Sequence, residues 1–175
     1  TADAFIRAGV YKNILVIGAE VHSFGLDMSD EGRGVSVIFG DGAGAVIVSA
    51  SEEEGRWILS TNLHSEGEYA EELAVTFPGT KTGWSDEILK EDHKITNKEI
   101  YPYMNGNYVF KHAVTRFPES IMKTLEIANK TLDDVYLFIP HQANLIISQF
   151  VQKQLGFPDE KVYNNIMRYG NTTAA

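Results

Sequence analysis

Apolar positions along this chain follow two rhythms, short continuous runs and stretches of helical spacing. Ala4, Phe5 and Ala8 stand at helical spacing with Gly9 as a stop, so residues 1–9 predict the last turns of a helix. Asn13-Ile14-Leu15-Val16-Ile17-Gly18 is continuously apolar. Such a run predicts a strand covered on both faces, in a parallel or mixed sheet. Gly25, Asp27, Ser29, Asp30, Gly32 and Gly34 break the pattern and predict a loop over residues 22–34. Residues 35–39 and 46–50 predict two strands, joined by the glycine loop Gly40-Asp41-Gly42-Ala43-Gly44-Ala45. After an acidic turn at 51–55, residues 57–63 predict a further strand.

Residues 64–104 are irregular and rich in Gly, Glu and Asp. They predict a surface excursion, and excursions of that length in a compact domain are usually functional. Helical period returns with Phe110, Val114, Phe117, Ile121, Leu125 and Ala128, and Pro118 sits inside it. Proline suits a first helical turn and damages an interior one, so two helices meeting near Phe117 and one kinked helix are both open. Residues 135–139 predict a buried strand. Ala143, Ile147, Val151 and Leu155 step by four and predict an amphipathic helix over 142–155, ended by Gly156 and Pro158. Residues 161–166 predict the following strand.

Strand, helix, strand over 135–166 is a crossover unit, so its two strands are expected to be parallel in one sheet. Their carboxyl ends then open on the same edge, where ligands bind in open α/β sheets. Pro140-His141-Gln142-Ala143-Asn144 follows the first strand, and Tyr169-Gly170-Asn171-Thr172-Thr173-Ala174-Ala175 follows the second. His141 and Asn171 are thus expected to meet. Both can donate a hydrogen bond to one oxyanion, and preorganised donors there are often the largest catalytic contribution. A helix starting near Gln142 would also aim its amides at that edge. Taken singly, His141 reads as a helix cap and Asn171 as an Asx-turn; taken together, in this topology, they read as a site.

The chain has 175 residues, enough for one domain with a real core, and 43% of them are hydrophobic. A net charge of −9 argues against a general nucleic-acid or anionic-membrane binder. No apolar run approaches the roughly 20 residues of a membrane helix. There is no basic leader at the start, and a cytoplasmic origin is the plain expectation. Zero cysteines exclude disulfides, zinc-thiolate sites and thiol catalysis within this chain. The first residues read as the end of a helix without an initiator Met, and Ala175 stops as a helix is expected to begin. A fragment of a longer enzyme is therefore expected.

Four runs carry a family resemblance: Phe39-Gly40-Asp41-Gly42-Ala43-Gly44-Ala45, Met104-Asn105-Gly106-Asn107-Tyr108-Val109-Phe110-Lys111, Pro140-His141-Gln142-Ala143-Asn144 and Gly170-Asn171-Thr172-Thr173-Ala174-Ala175. In this order they resemble beta-ketoacyl-acyl carrier protein synthase III, a condensing enzyme of the thiolase superfamily. The resemblance implies an α/β, thiolase-like αβαβα layered fold of two similar halves, incomplete here. Residues 1–52 would end the N-terminal half and residues 56–175 would form most of the C-terminal half. It implies an acyltransferase: a cysteine takes an acyl group from acyl-CoA, malonyl-acyl carrier protein loses CO2, and the carbanion attacks the acyl thioester, initiating fatty-acid synthesis. His141 and Asn171 match the residues that stabilise the enolate. Asn144, Gly106, Asn107 and Phe110 match positions along the pantetheine and acyl path, and Lys111 and Lys153 match basic positions that can meet an acidic carrier.

The resemblance implies no cofactor beyond the CoA thioester and the carrier's phosphopantetheine. It also implies a homodimer of the full-length protein, with the strand over 14–18 as the candidate contact. The departures are as informative. The cysteine is absent, so this chain alone is expected to be inactive for condensation. The glycine-rich strands that close the family fold after Asn171 are also missing. Ile146 stands where many relatives carry a carrier-docking Arg, and Phe24 falls near a CoA-contacting Arg of some relatives. A polyketide or quinolone-type condensing enzyme and a catalytically silent partner subunit are the alternatives.

Gly40 to Ala45 lacks the full dinucleotide fingerprint and precedes a strand rather than a helix. Its alternate glycines predict instead a bare strand face that another backbone can approach, with Asp41 satisfying loop amides. His22, His64, His93 and His112 show no zinc-motif spacing, and no metal site is expected. Thr172 and Thr173 have no paired base and are expected to cap a helix.

Overall fold

The computed structural model describes residues 1–53, 55–77 and 100–175. Helix α1 (Ala2–Arg7) carries Asp3 in its first turn and Arg7 in its last, paired at 2.9 Å one turn apart. Gly9, at φ 71°, turns the chain back into strand β1 (Asn13–Glu20). Its partner is β2 (Gly42–Ser49), antiparallel and in register from Asn13 opposite Ser49 to Glu20 opposite Gly42. The glycine run expected as a loop therefore lies largely within a strand. Gly18, Gly42 and Gly44 leave one stretch of this hairpin without side chains, and residues 172–175 lie across it. A Cβ on Gly18 would collide with the backbone of Ala174, and one on Gly42 would sit 2.8 Å from Thr172 Cγ2. The bare-face expectation holds.

Neither strand is covered on both faces. Leu15, Ile17, Val46 and Ile47 are all at least 60% exposed, so the buried-strand expectation is corrected for this chain. The intervening loop holds a 3-10 turn at His22–Phe24 and a short helix, α2 (Arg33–Ser36). Residues 35–39 thus contain no strand. Helical bonds from the Val35 and Ser36 amides to the Gly32 carbonyl consume the backbone there, and only Phe39 forms a bridge, parallel, to Asn171.

Residues 57–63 are not a strand either. Arg7 Nη2 donates to the Ile58 carbonyl at 2.6 Å, and Ser60 Oγ donates to the Thr124 carbonyl at 2.8 Å. The segment is tied to two helices by side chains instead of by a ladder. A 3-10 segment (Gly67–Glu72) leads into β3 (Leu73–Ala74), paired antiparallel with β4 (Tyr103–Met104). The middle of the expected excursion, and His93 with it, lies outside the described residues.

Helix α3 (Gly106–Ile127) runs unbroken through Pro118, which resolves the choice left open by the sequence in favour of one helix. Asn105 caps it, accepting from Tyr108 N at 3.3 Å. Helix α4 (Leu145–Leu155) is capped by Asn144 and closed by Gly156 at φ 73°, whose amide and that of Phe157 return to the last turn. The two helices pack together around Val151, which is fully buried, and Ile147. Phe110 meets Phe150 edge to face, and Phe138 stacks on Phe157 at 5.5 Å.

The crossover has the expected parallel sense, but the strands expected at 135–139 and 161–166 reduce to one bridge, Phe138 to Val162. Phe138 N donates to Lys161 O, and Tyr163 N donates back to Phe138 O. On either side the chain turns away, into 3-10 segments at Leu132–Asp134 and Asp159–Lys161 and into a one-turn helix, α5 (Ile166–Tyr169). Tyr136 and Ile139 are largely exposed, so this segment is not buried either.

Close backbone approach at the bare hairpin face makes a direct prediction. Gly18→Ala should destabilise the protein by about 1–3 kcal/mol through overpacking, measured by denaturant unfolding. Gly34→Ala, which meets open space on a short helix, should be neutral or slightly stabilising.

Candidate active site

His141 follows the Phe138 bridge by three residues, and its carbonyl accepts from Ala143 N at 2.9 Å in a tight turn. The helix after it begins at Leu145, later than the spacing predicts. Asn144 Oδ1 takes the Ile146 amide at 2.8 Å, and no residue of α4 lines the cavity at His141. The expected contribution of that helix's amide end to the site is therefore not found.

Asn171 is reached from α5 through Gly170, whose φ of 71° permits the reversal and on which a Cβ would stand 3.1 Å from Gly40 N. The Asn171 backbone is held in a parallel seam. Its N–H donates to Ile38 O at 2.8 Å, and its carbonyl accepts from Gly40 N at 3.1 Å. The side chain is buried, at 7% exposure, and Oδ1 accepts from Thr173 N at 2.9 Å. That bond fixes which end of the carboxamide is oxygen. Nδ2 has no protein acceptor among the described residues and remains available to donate.

His141 and Asn171 line one cavity of about 310 Å³, with Pro140, Gln142, Tyr163, Asn165 and Thr173 among its walls. The juxtaposition expected from the crossover is present. His141 as a residue is exposed at the cavity mouth, but the atoms crowding its ring strip water from it, and this burial pushes its pKa below the ordinary 6.5. The imidazole is then neutral at pH 7, with one nitrogen donating. A neutral imidazole and a carboxamide lining one cavity offer it two N–H donors and no fixed charge.

Two contacts hold this arrangement, the first of which the sequence did not reveal. His22 packs at a tilt against Phe39, with ring centroids 4.9 Å apart, and its Nε2 lies 3.2 Å from Thr173 Oγ1, so the loop after Asn171 is braced from the other half of the chain. Asp41 accepts from Ser23 N and Ser23 Oγ, which fixes the turn carrying His22, as its expected loop role requires. Thr172 and Thr173 cap no helix. Thr172 Oγ1 donates to Ala175 O, and Thr173 stands at φ 52°.

The remaining sequence candidates lie elsewhere. Gly106 and Asn107 line a second cavity of about 570 Å³ with Asp27, Val35 and Tyr103. Phe110 packs on Phe150, and Asn144 caps α4. Lys153 lines a groove between α3 and α4 with Thr115, Glu119 and Phe150, and Lys111 is exposed on α3. Phe24 and Ile146 are both exposed, at 94% and 63%. No group of three metal-ligating side chains occurs among the described residues. No helix among them is long and apolar enough to cross a membrane.

The family model for 3-oxoacyl-(acyl-carrier-protein) synthase III matches residues 1–67, and the model for the C-terminal part of the same enzyme matches residues 109–175. The chain belongs to the beta-ketoacyl-acyl carrier protein synthase III family. It is 40% identical over 174 residues to the synthase III of Yersinia enterocolitica, covering 99% of this chain and 49% of that protein. It is 41% identical over 176 residues to that of Microcystis aeruginosa, covering 100% of this chain and 50% of that one. The crystal structure of the synthase III of Aquifex aeolicus superposes with a TM-score of 0.83 at 40% identity, over 99% of this chain and 49% of that one. The chain thus spans about half the length of the synthase III relatives it matches, and its fold is α/β and thiolase-like.

Desolvation of the imidazole gives a sign that can be checked. An NMR titration of His141 should return a pKa below 6.5. Because the unfolded chain takes up this proton first, the residue should remove stability as pH falls below 6.5, and none above it. A pKa above 6.5 would contradict the crowded, neutral ring.

Proposed function

We propose that the whole protein catalyses decarboxylative Claisen condensation of an acyl group, taken from acyl-CoA, with malonyl-acyl carrier protein, initiating fatty-acid synthesis. The observation that carries this reading is the shared cavity of His141 and Asn171. Loss of CO2 from a malonyl thioester leaves an electron pair delocalised onto the thioester oxygen. Two preorganised N–H donors at that oxygen stabilise the enolate more than the neutral ground state, which is what lowers a barrier. A neutral His141 keeps the donor without consuming a proton. Curated relatives carrying the same enzyme name support the reading across nearly the whole of this chain.

In this proposal the acyl-bearing cysteine lies outside the 175 residues, since none is present, and the chain alone does not condense. Residues 1–52 close the N-terminal thiolase-like half, and 56–175 form most of the C-terminal half. Gly106, Asn107 and Phe110, at and beyond the start of α3, face the pantetheine and acyl path, with Asn144 contributing its amide nitrogen. A chain of net charge −9 meets an acidic carrier protein only through local basic positions, and Lys111 and Lys153 are exposed to do so. No cofactor beyond the thioester substrates is required. The whole protein is a cytoplasmic homodimer, and the exposed apolar side chains of β1 support a contact along that strand.

Variants of the full-length protein test the enolate assignment. His141→Ala and Asn171→Ala should each slow malonyl-thioester decarboxylation by about 10²–10³-fold, followed as CO2 release. Decarboxylation at the parent rate in either variant would remove the mechanism.

A further inference from the structure

Gln142, between His141 and the helix cap, makes four hydrogen bonds, all to backbone. Nε2 donates to Pro140 O at 3.0 Å and to Tyr163 O at 3.3 Å. Oε1 accepts from Asn165 N at 2.9 Å and from Ile166 N at 3.1 Å. A carboxamide has two N–H donors and two acceptor lone pairs, so this one is saturated. Two amides pointing at Oε1 also fix its orientation. Although Gln142 lines the cavity, it has nothing left with which to bind a substrate.

Its partners describe its role. Pro140 is the residue before His141. Tyr163 ends the bridge that sets the two loops side by side. Asn165 and Ile166 open α5, whose last residue leads through Gly170 into Asn171. The first loop is joined to the Phe138 bridge and exposes His141, and α5 is one turn long with Met167, Arg168 and Tyr169 exposed. Besides the Phe138 backbone bonds and the bond from Ser148 Oγ to Asn164 Oδ1, the Gln142 carboxamide is the side chain that ties the loop of His141 to the start of α5.

We infer that Gln142 is a positioning residue that sets the separation of His141 and Asn171, so that their two donors converge on one thioester oxygen. The inference rests on the enolate reading above. It extends that reading by making the pair's geometry depend on one side chain that does not touch the substrate. Donors to an oxyanion act only within a narrow range of distance and angle, so a shift of about 1 Å between the loops lowers the rate by about 10- to 100-fold without changing what the site binds.

A double-mutant cycle in the full-length protein tests it. Gln142→Met keeps the volume and removes all four bonds; Gln142→Glu keeps the two acceptor bonds and sets a carboxylate against the carbonyls of Pro140 and Tyr163. Each should lower kcat for malonyl-thioester decarboxylation by about 10- to 100-fold, with KM within about twofold of the parent. In a His141→Ala background the same substitutions should cost almost nothing further, because Gln142 acts through His141. A merely structural role would lower the rate by the same factor in both backgrounds. Should Gln142→Met not fold, Gln142→Glu carries the same cycle. A parent-like kcat in a folded Gln142 variant, or equal losses in the two backgrounds, overturns the inference. If His141→Ala itself decarboxylates at the parent rate, the enolate reading fails and takes this inference with it.

Discussion

Two backbone hydrogen bonds, from Asn171 N to Ile38 O and from Gly40 N to Asn171 O, are the contact on which the site depends. They join residues far apart in sequence, and they exist because Gly40 and Gly170 carry no side chain to hold the two backbones apart. A Cβ at Gly40 would collide with the Tyr169 carbonyl. Everything after Gly170 is laid down on that seam. The Thr173 amide, following in a tight turn, then orients the Asn171 carboxamide with its nitrogen outward. The glycine-rich run thus places the Asn171 carboxamide, the donor of the proposed mechanism, by permitting backbone to meet backbone.

The other donor is placed by a different route. His141 stands on a loop just past a single parallel bridge, and its neighbour Gln142 links that loop to the chain that leads to Asn171. A rigid seam therefore fixes the amide, and a saturated side chain fixes the imidazole relative to it. Both line one cavity, and partial burial of the ring lowers the His141 pKa from its ordinary value. A site assembled this way has its donors in place before substrate arrives, which is the condition under which electrostatic stabilisation lowers a barrier most.

Much of this was legible in the chain itself. Gly9 and Gly156 punctuate helices where their chemistry dictates, and the 3.6-residue period located α3 and α4. The crossover argument correctly brought residues 141 and 171 to one cavity. Strands were less legible, for a physical reason. An apolar run at 35–39 or 135–139 records side chains suited to a covered surface, whereas a strand requires a neighbour to accept its ladder. At 35–36 the helical bond to Gly32 took the backbone first, and at 135–139 only Phe138 has a ladder partner among the described residues. The clamp by Gln142 and the brace from His22 to Thr173 gave no periodic or motif signal. Each is a long-range contact of one polar side chain, visible only once the loops are folded together.

The decisive measurement is a crystal structure of the full-length protein bound to a stable thioester-enolate mimic. The account predicts one ligand oxygen within roughly 2.7–3.1 Å of both an imidazole nitrogen of His141 and Nδ2 of Asn171. An oxygen held by only one of them, with the other turned to a separate space, would contradict it.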